Sequence, residues 1–509
     1  MEGKEYIIGV DIGSSNVVMA VGVRNKNGEI SVLSVERQKV ENCVKDGEVT
    51  NHILLGDAIA KTKSALENDL QIRLNSAYVG ISGRSVYCVR YEDYVDINET
   101  TGVTDTEMAA LKDRIEMAVP SGGDIIIERT LLRYTIDDHQ EVANPVGAYG
   151  KKLSATYLFV MVGKQAIDRV NKAMFRADMK VSGLCINPTV LPDLLLSQDE
   201  KEDGVAIVDI GGDLTDLSIV REGKLCYFSS LPIGSSSIND DLHEFLRVPK
   251  KEIDLIKHRH GSAFASVVPE DIAIQIRMAG HTKRQILQRN IAEIAEERLK
   301  DIAHFIMREL KAAKFSTKIP CGIVLTGGAT YLREIDKLFA RELNMEVRFG
   351  EMLNGLDDDS QQKVCANPDS VAIGLLLYGS KHNACDVSEL GLVRKDEAQK
   401  TTVTTTSNSG TEQSEQMQTT GSSTTTSTDK GGEQIIEPVK TEEQNKEKEQ
   451  ATKESTSGKD KPGSGPGRWS GGELKDKTKD RGVEVPPRTW QEKLRDWIDK
   501  KFNDGDDFI

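Results

Sequence analysis

Nowhere in the 509 residues is there a run of eighteen apolar side chains, and the opening MEGKEYIIGV has no basic stretch ahead of an apolar one. A spanning helix needs roughly 20 apolar residues and a secretory leader needs that basic-then-apolar order, so neither is expected. Cysteine is sparse and unpatterned. Seven are scattered at Cys43, Cys88, Cys185, Cys226, Cys321, Cys365 and Cys385, an odd number with no CxxC pair, which suits reduced cytosolic thiols better than a disulfide framework or a zinc site. Basic charge is in deficit, 66 lysines and arginines against 81 acids for a net −15. A nucleic-acid surface is thereby disfavoured, because phosphate contact needs a basic face. No GxxxxGK[ST] loop occurs, which excludes a P-loop NTPase.

Apolar residues are also few, 38% of the chain, but the deficit is local. Residues 399 to 482 number 84 and hold only eight of that type, with 13 basic and 14 acidic groups; the remainder is roughly 44% apolar, near the usual globular value. The stretch opens on Thr/Ser runs such as TTVTTTS at 401–407, passes through Glu/Lys/Gln mixtures and ends in Gly/Pro at 462–467. Such a composition buries too little surface to offset its ordering entropy, so it is expected to be a flexible tether with an r.m.s. span of about 50 Å. What folds is an α/β unit of about 400 residues, enough for two or three domains or one two-lobed body.

Short β-branched runs ending in glycine alternate with amphipathic segments of helical length. Strands are expected at 6–10 (YIIGV), 206–210 (AIVDI) and 322–327 (GIVLTG), and a helix from about Arg289 to Lys314, whose Ile291, Ile294, Ala295, Leu299, Ile302, Ala303, Ile306 and Leu310 share one core-facing stripe. The most informative feature is an internal echo. IGVDIGSSNV at 8–17 and IVDIGGDLTDL at 207–217 each close a buried strand on an aspartate, Asp11 and Asp209, before an Ile-Gly turn. One Asp-x-Gly turn is usually a simple hairpin. Two matched copies imply two similar halves facing a cleft, with glycine letting backbone amides approach phosphate oxygens and each aspartate holding Mg²⁺ through water. In GIVLTGGAT the pair Gly327-Gly328 either lets a base or ribose lie on the backbone or simply opens a helix.

The order DIGSSNV, DIGGDLTD, LPIGSS, GIVLTGGAT and NPDSVAIGLLLYG resembles the actin/Hsp70/sugar-kinase ATPase superfamily. Within it VGISGRSV at 79–86, ERTLLRYTID with NPVGAYGKKL between 128 and 153, and IKHRHGSA at 256–263 are most similar to the FtsA family of bacterial cell-division proteins. The resemblance spans about residues 4 to 382. It implies a two-lobed actin-like fold with large subdomains at 1–83 with 163–203 and at 204–235 with 319–385, an FtsA-type small subdomain inserted at 84–162, a second small subdomain at 236–318, a linker at 386–487 and a terminal helix at 488–503. It implies an ATP site with Asp11, Gly13, Ser14 and Ser15 in the first phosphate loop and Asp209, Gly211, Gly212 and Thr215 in the second. Gly234, Asp254 with Lys257, and Gly327 with Gly328 would bracket ribose and adenine, and Mg²⁺ would sit by Asp11 and Asp209. The sequence departs from the family pattern where Asn16 replaces a lysine, Asp213 and Leu214 a Gly and a Thr, Asp254 a glutamate, and Ser235 and Asn239 a Gly and a Thr. An extra carboxylate in the second loop is expected to weaken nucleotide binding unless Mg²⁺ or a turned-out rotamer absorbs it, since unit charges ~4 Å apart interact by about 4 kcal/mol at an effective dielectric of 20. Weak or slow turnover follows. No catalytic base is assigned: Asn187 cannot usefully take a proton, and His258 and His260 read as a solvated helix end.

At 489–502 the sequence TWQEKLRDWIDKKF forms a helical wheel with Trp490, Leu494, Trp497, Ile498 and Phe502 in an arc of about 140°. Lys493, Lys500 and Arg495 flank that arc, while Glu492, Asp496, Asp499 and Asn503 oppose it. From Arg488 to Phe502 five basic and three acidic groups give +2, the sign an anionic membrane attracts. This describes an interfacial hook; the alternative is a helix docking on the head or on a partner. By resemblance the chain would polymerise on the cytoplasmic membrane as a peripheral protein at the division site, hold filaments of the tubulin-like protein FtsZ through 236–318, and recruit later division proteins. A pilus-assembly ATPase or a metabolic kinase of the same superfamily is the alternative, and an Hsp70-type chaperone is disfavoured because a tether follows the ATPase where a peptide-binding domain would stand.

Overall fold

A computed structural model describes residues 4–389 apart from 121–122, 278–282, 353 and 365–366. Most of the expected tether and all of the expected terminal helix, with Trp490, Lys493, Leu494, Trp497, Ile498, Lys500 and Phe502, lie outside the described residues. One boundary shifts. The chain was expected to lose regular structure after Asp386, but Val387–Glu389 forms a strand antiparallel to Ile72–Leu74. Val387 also packs on the first core, so the backbone pairs for one more strand before the composition changes.

The first half builds a five-stranded sheet from β1 (Glu5–Ile12), β2 (Asn16–Arg24), β3 (Ile30–Lys39), β4 (Ser76–Ile81) and β5 (Lys180–Ile186), in the order β5-β4-β1-β2-β3. The second half builds another from β6 (Val205–Ile210), β7 (Thr215–Arg221), β8 (Lys224–Leu231), β9 (Ile323–Thr326) and β10 (Val347–Phe349), in the order β10-β9-β6-β7-β8. Adding five to each label of the first sheet gives the second. Directions agree as well, since β1 is antiparallel to β2 and parallel to β4 while β6 is antiparallel to β7 and parallel to β9. The echo in the sequence is therefore a duplication of topology. Central strands in each sheet read as near-continuous apolar runs because both faces are covered.

Between β4 and β5 the chain makes an antiparallel sheet of four strands, ordered Gln140–Val142, Ile125–Ile136, Lys152–Val162, Val86–Asp96. The helix Asp105–Glu116 accompanies it, entered through a capping box in which the amide of Thr104 donates to Glu107 at 2.8 Å. Five helices pack into the cores of the two halves: α1 (Asn187–Leu195), α2 (Ser236–Leu246), α3 (Lys250–His260), α4 (Gln288–Ala312) and α5 (Ser370–Ser380). The expected stripe on α4 is buried throughout, Ile291 to Leu310 each at most 2% exposed. It packs with α2, α3 and the underside of the second sheet as one core, while α1 and α5 belong to the core of the first. No helix among the described residues is long and apolar enough to cross a membrane, and the six described cysteines are free thiols.

Candidate functional site

Each sheet ends its central strand on an aspartate and a four-residue turn of the same design. The Gly13 amide donates to the Asn16 carbonyl at 3.0 Å, and the Gly211 amide to the Leu214 carbonyl at 2.9 Å. A Cβ on Gly13 would stand 2.9 Å from that Asn16 oxygen, so the turn closes only around glycine. Within the turns the amides of Ser14, Ser15, Gly212 and Asp213 have no backbone acceptor among the described residues. The turns face each other closely enough that a Cβ on Gly212 would overlap Ser15 Oγ.

Gly234 belongs to the strap behind the second turn. A Cβ there would overlap the Gly212 carbonyl, and the next two amides, Ser235 and Ser236, donate to the carbonyls of Gly211 and Gly212 at 2.9 and 2.8 Å. Thr215 is fully buried and its hydroxyl donates to Ile233 O at 2.8 Å, which fixes the strap. Gly327 takes φ +88, with its Cα so near Asp209 that a Cβ would overlap the carboxylate, whereas a Cβ on Gly328 would meet nothing within 4 Å. Lys257, buried on α3, donates to Ser235 O at 3.1 Å. Burial lowers its pKa to about 8 against the pull of Asp254. Asp254 accepts from Asn239 at 2.8 Å and from Lys39 of the other lobe at 3.1 Å. Burial alone would raise its pKa, yet Lys39, Lys257 and Asn239 hold it below the ordinary value.

The floor of the cleft holds three carboxylates. Asp11 has its pKa pushed up to about 7 by burial, an effect moderated by the Asn187 amide donating at 3.4 Å and reinforced by Asp216. Asp209 is raised well above the carboxylate range, by burial first and then by Asp216 and Asp11. Asp216 is raised by burial in spite of hydroxyl donors Ser230 at 2.5 Å and Ser82 at 2.6 Å. Groups so placed stay charged only when a cation stands between them. Among the described residues no three Asp, Glu, His or Cys side chains form a direct metal cage. Asn187 Oδ1 beside Asp11 is buried without a hydrogen-bond partner, an acceptor suited to water or a ligand hydroxyl.

Asp213 does not point into its own turn. Its carboxylate accepts the Asp46 amide at 3.4 Å, and buried Leu214 lies 2.5 Å from where a Cβ on Gly47 would be. The turned-out rotamer is thus the one adopted. His258 closes α3 on the exposed side, edge-on to Tyr331 at 5.3 Å between ring centroids.

The sequence does not single out Asp216, although it stands in DLTDL, because the matching place in the first half is Val18: Asp11 pairs with Val18 and Asp209 with Asp216. A tight four-residue turn after Asp209 was the available signal. Ser82, Ser230 and Lys39 had none, being brought in by tertiary pairing alone.

A duplicated five-strand sheet with an Asp-x-Gly turn on each half and an insertion in the first defines the actin-like two-lobed ATPase fold. Among solved structures, the PilM-PilN type IV pilus biogenesis complex shares that fold at a TM-score of 0.51 and 14% identity, covering 74% of this chain and 98% of the other. Residues 206–374 match the family described as Cell division protein FtsA, and residues 83–161 match the SHS2 domain inserted in FTSA. The Cell division protein FtsA of Pseudomonas aeruginosa is 27% identical over 74% of this chain and 90% of its own length, and that of Escherichia coli strain K12 is 25% identical over 74% and 91%. By these matches residues 83–161 and 206–374 are FtsA-family domains, and the chain is similar to the FtsA cell-division proteins over 74% of its length.

Proposed function

We propose that the cleft binds Mg-ATP and that the chain works as a nucleotide-conditioned adaptor on the cytoplasmic membrane at the division site. The observation that carries this is the meeting of three carboxylates, buried Asp216 with half-buried Asp11 and Asp209, between two glycine turns whose amides have no backbone acceptor among the described residues. Bound Mg-ATP would supply a cation between the carboxylates and a polyphosphate for the amides. Asp11 and Asp209, with Asp216 behind them, would hold the magnesium through water, and the amides of Ser14, Ser15, Gly212 and Asp213 would receive phosphate oxygens. Gly234, Asp254, Lys257 and the Gly327-Gly328 backbone wall the nucleoside. Asn187 orients a water through Oδ1 but takes no proton, so turnover is slow and the nucleotide chiefly sets conformation. Titration of the chain with Mg-ATP, with turnover followed in parallel, tests this. Binding that needs Mg²⁺ and turnover below about one per second are expected; turnover well above that, in the range of ordinary enzymes, contradicts it.

From the similarity to the FtsA family we extend the reading to self-association in filaments, to holding FtsZ through 236–318 and to recruiting later division proteins. Attachment to anionic lipid would come from the helix at 488–503, with Trp490, Leu494, Trp497, Ile498 and Phe502 inserted and Lys493 and Lys500 at the waterline. The gain from burying five large apolar side chains is opposed by the entropy of ordering the segment that carries them, so one tail binds reversibly and a filament binds firmly through many.

A further inference from the structure

Neither glycine turn carries a positive charge. The first reads Gly13-Ser14-Ser15-Asn16 and the second Gly211-Gly212-Asp213-Leu214, and beneath them lie Asp11, Asp209 and Asp216. A polyphosphate placed there meets amides and carboxylates but no side-chain cation within the turns. We propose that Lys39, at the end of β3, is the residue that meets the phosphates, an inference that rests on the nucleotide reading above.

Three observations place it there. Lys39 is the register partner of Asn16 across β2 and β3, so the two side chains leave the same face of the sheet with their Cβ atoms about 5 Å apart. The next residue, Val40, donates its amide to the Ser15 carbonyl at 2.9 Å, which fastens the end of β3 to the first turn. Lys39 Nζ then reaches across the cleft to Asp254 on α3 at 3.1 Å, with Glu41 at 3.9 Å, although its side chain is 58% exposed and has open solvent as an alternative. Asp254 is itself held by Asn239. The ammonium is therefore kept at the boundary of the two lobes, beside the first turn.

Neighbouring cations are committed elsewhere. Arg37, two residues back on the same strand, pairs with Asp369; Lys257 donates to the Ser235 carbonyl from a buried position; Arg84 pairs with Asp46 at 3.0 Å. Lys39 has three N–H donors and uses one on Asp254, so a phosphate oxygen and the carboxylate share it. Lys39 then ties the polyphosphate to both lobes at once, and its contribution grows with the number of phosphates.

The test is a competition titration on the full chain with Mg-ATP, Mg-ADP and adenosine, for the wild type, Lys39→Ala, Lys39→Arg and the double variant Asn16→Lys/Lys39→Ala. Lys39 is exposed, so equal melting temperatures check that the variants fold. Lys39→Ala is expected to weaken Mg-ATP about tenfold or more, Mg-ADP less and adenosine not at all, as loss of a charge-assisted contact worth about 1.5 to 3 kcal/mol requires. Lys39→Arg retains most of the affinity, and a lysine at the paired position 16 restores a substantial part. Equal losses for ATP, ADP and adenosine would show that Lys39 acts only on the nucleoside side through Asp254, and no loss would show that it does not act; either overturns the inference alone. A wild-type chain that binds no Mg-ATP overturns the nucleotide reading and this inference with it.

Discussion

The hydroxyl of Ser82 donates to the carboxylate of Asp216 at 2.6 Å, joining the end of β4 in the first sheet to β7 in the second. Asp216 is 6% exposed and also accepts from Ser230 at 2.5 Å, so a bond between the halves rests on a carboxylate of the acidic floor. Ser82 stands just ahead of the inserted sheet. Replacing it with alanine leaves a buried carboxyl group short of one hydrogen-bond partner, and a loss of about 1 to 3 kcal/mol in urea unfolding is expected. Unchanged stability would show that the bond contributes nothing.

The acidic floor makes stability depend on pH. Asp11 titrates near 3.8 when unfolded and at about 7 in the fold, so between those values the folded chain holds the extra proton. Its contribution is full below the unfolded value and is lost as pH rises through about 7. Asp209 and Asp216 shift in the same direction. Without Mg²⁺ the melting temperature attributable to this cluster falls between pH 5 and pH 8, and Mg²⁺ with nucleotide reverses the fall by replacing the protons. Asp11→Asn flattens the dependence. A wild-type profile no steeper than that of the variant would be incompatible with the cluster described.

Arg298 on α4 grips Asp241 on α2 with two bonds, 2.8 and 2.9 Å, and both side chains are under one-tenth exposed. Removing Arg298 strands the Asp241 carboxylate in the core, whereas removing Asp241 leaves Arg298 its longer pair with Asp301 at 3.5 Å. Arg298→Ala is expected to cost about 3 to 5 kcal/mol, and the joint replacement Arg298→Met with Asp241→Leu much less than the two single changes added together. Chemical denaturation of the four variants, Arg298→Ala, Arg298→Met, Asp241→Leu and the joint replacement, measures this directly.

Gly234 lies against the backbone of the second turn, and backbone cannot rotate aside. Gly234→Ala pushes the strap off Gly211 and Gly212 and breaks the 2.9 and 2.8 Å bonds that hold it. Mg-ATP affinity should drop by an order of magnitude or more, whereas Gly223→Ala, in an open surface turn, leaves it unchanged. Equal effects of the two substitutions would mean that the strap does not shape the site.

Much of this architecture is legible in the chain itself, for reasons that differ by element. β1, β6 and β9 announce themselves because apolar runs halt at glycine, and α4 because its stripe holds the helical period over twenty residues, from Ile291 to Leu310. Asp11 and Asp209 stand out because a duplicated turn is a stronger signal than a single one. Other features depend on distant partners. Lys39 and Asp254 lie 215 residues apart, and Arg298 on a charge-rich helix looks like any solvated residue until α2 brings Asp241 against it. Thr215 shows the opposite case: it suits a phosphate loop by position, yet its hydroxyl is bonded to Ile233 O on the strap. The strand Val387–Glu389 went unseen because its three residues pair through backbone with Ile72–Leu74, which composition does not encode.

An adaptor of this kind joins filaments to lipid through one chain, and a vesicle pelleting assay with purified FtsZ filaments tests that most directly. Vesicles containing anionic lipid, mixed with Mg-ATP and the full chain, are expected to bring FtsZ into the pellet. The same mixture with Leu494→Glu/Trp497→Glu is expected to leave both proteins in the supernatant. FtsZ that pellets equally with either chain, or with neither, would contradict the adaptor proposed here.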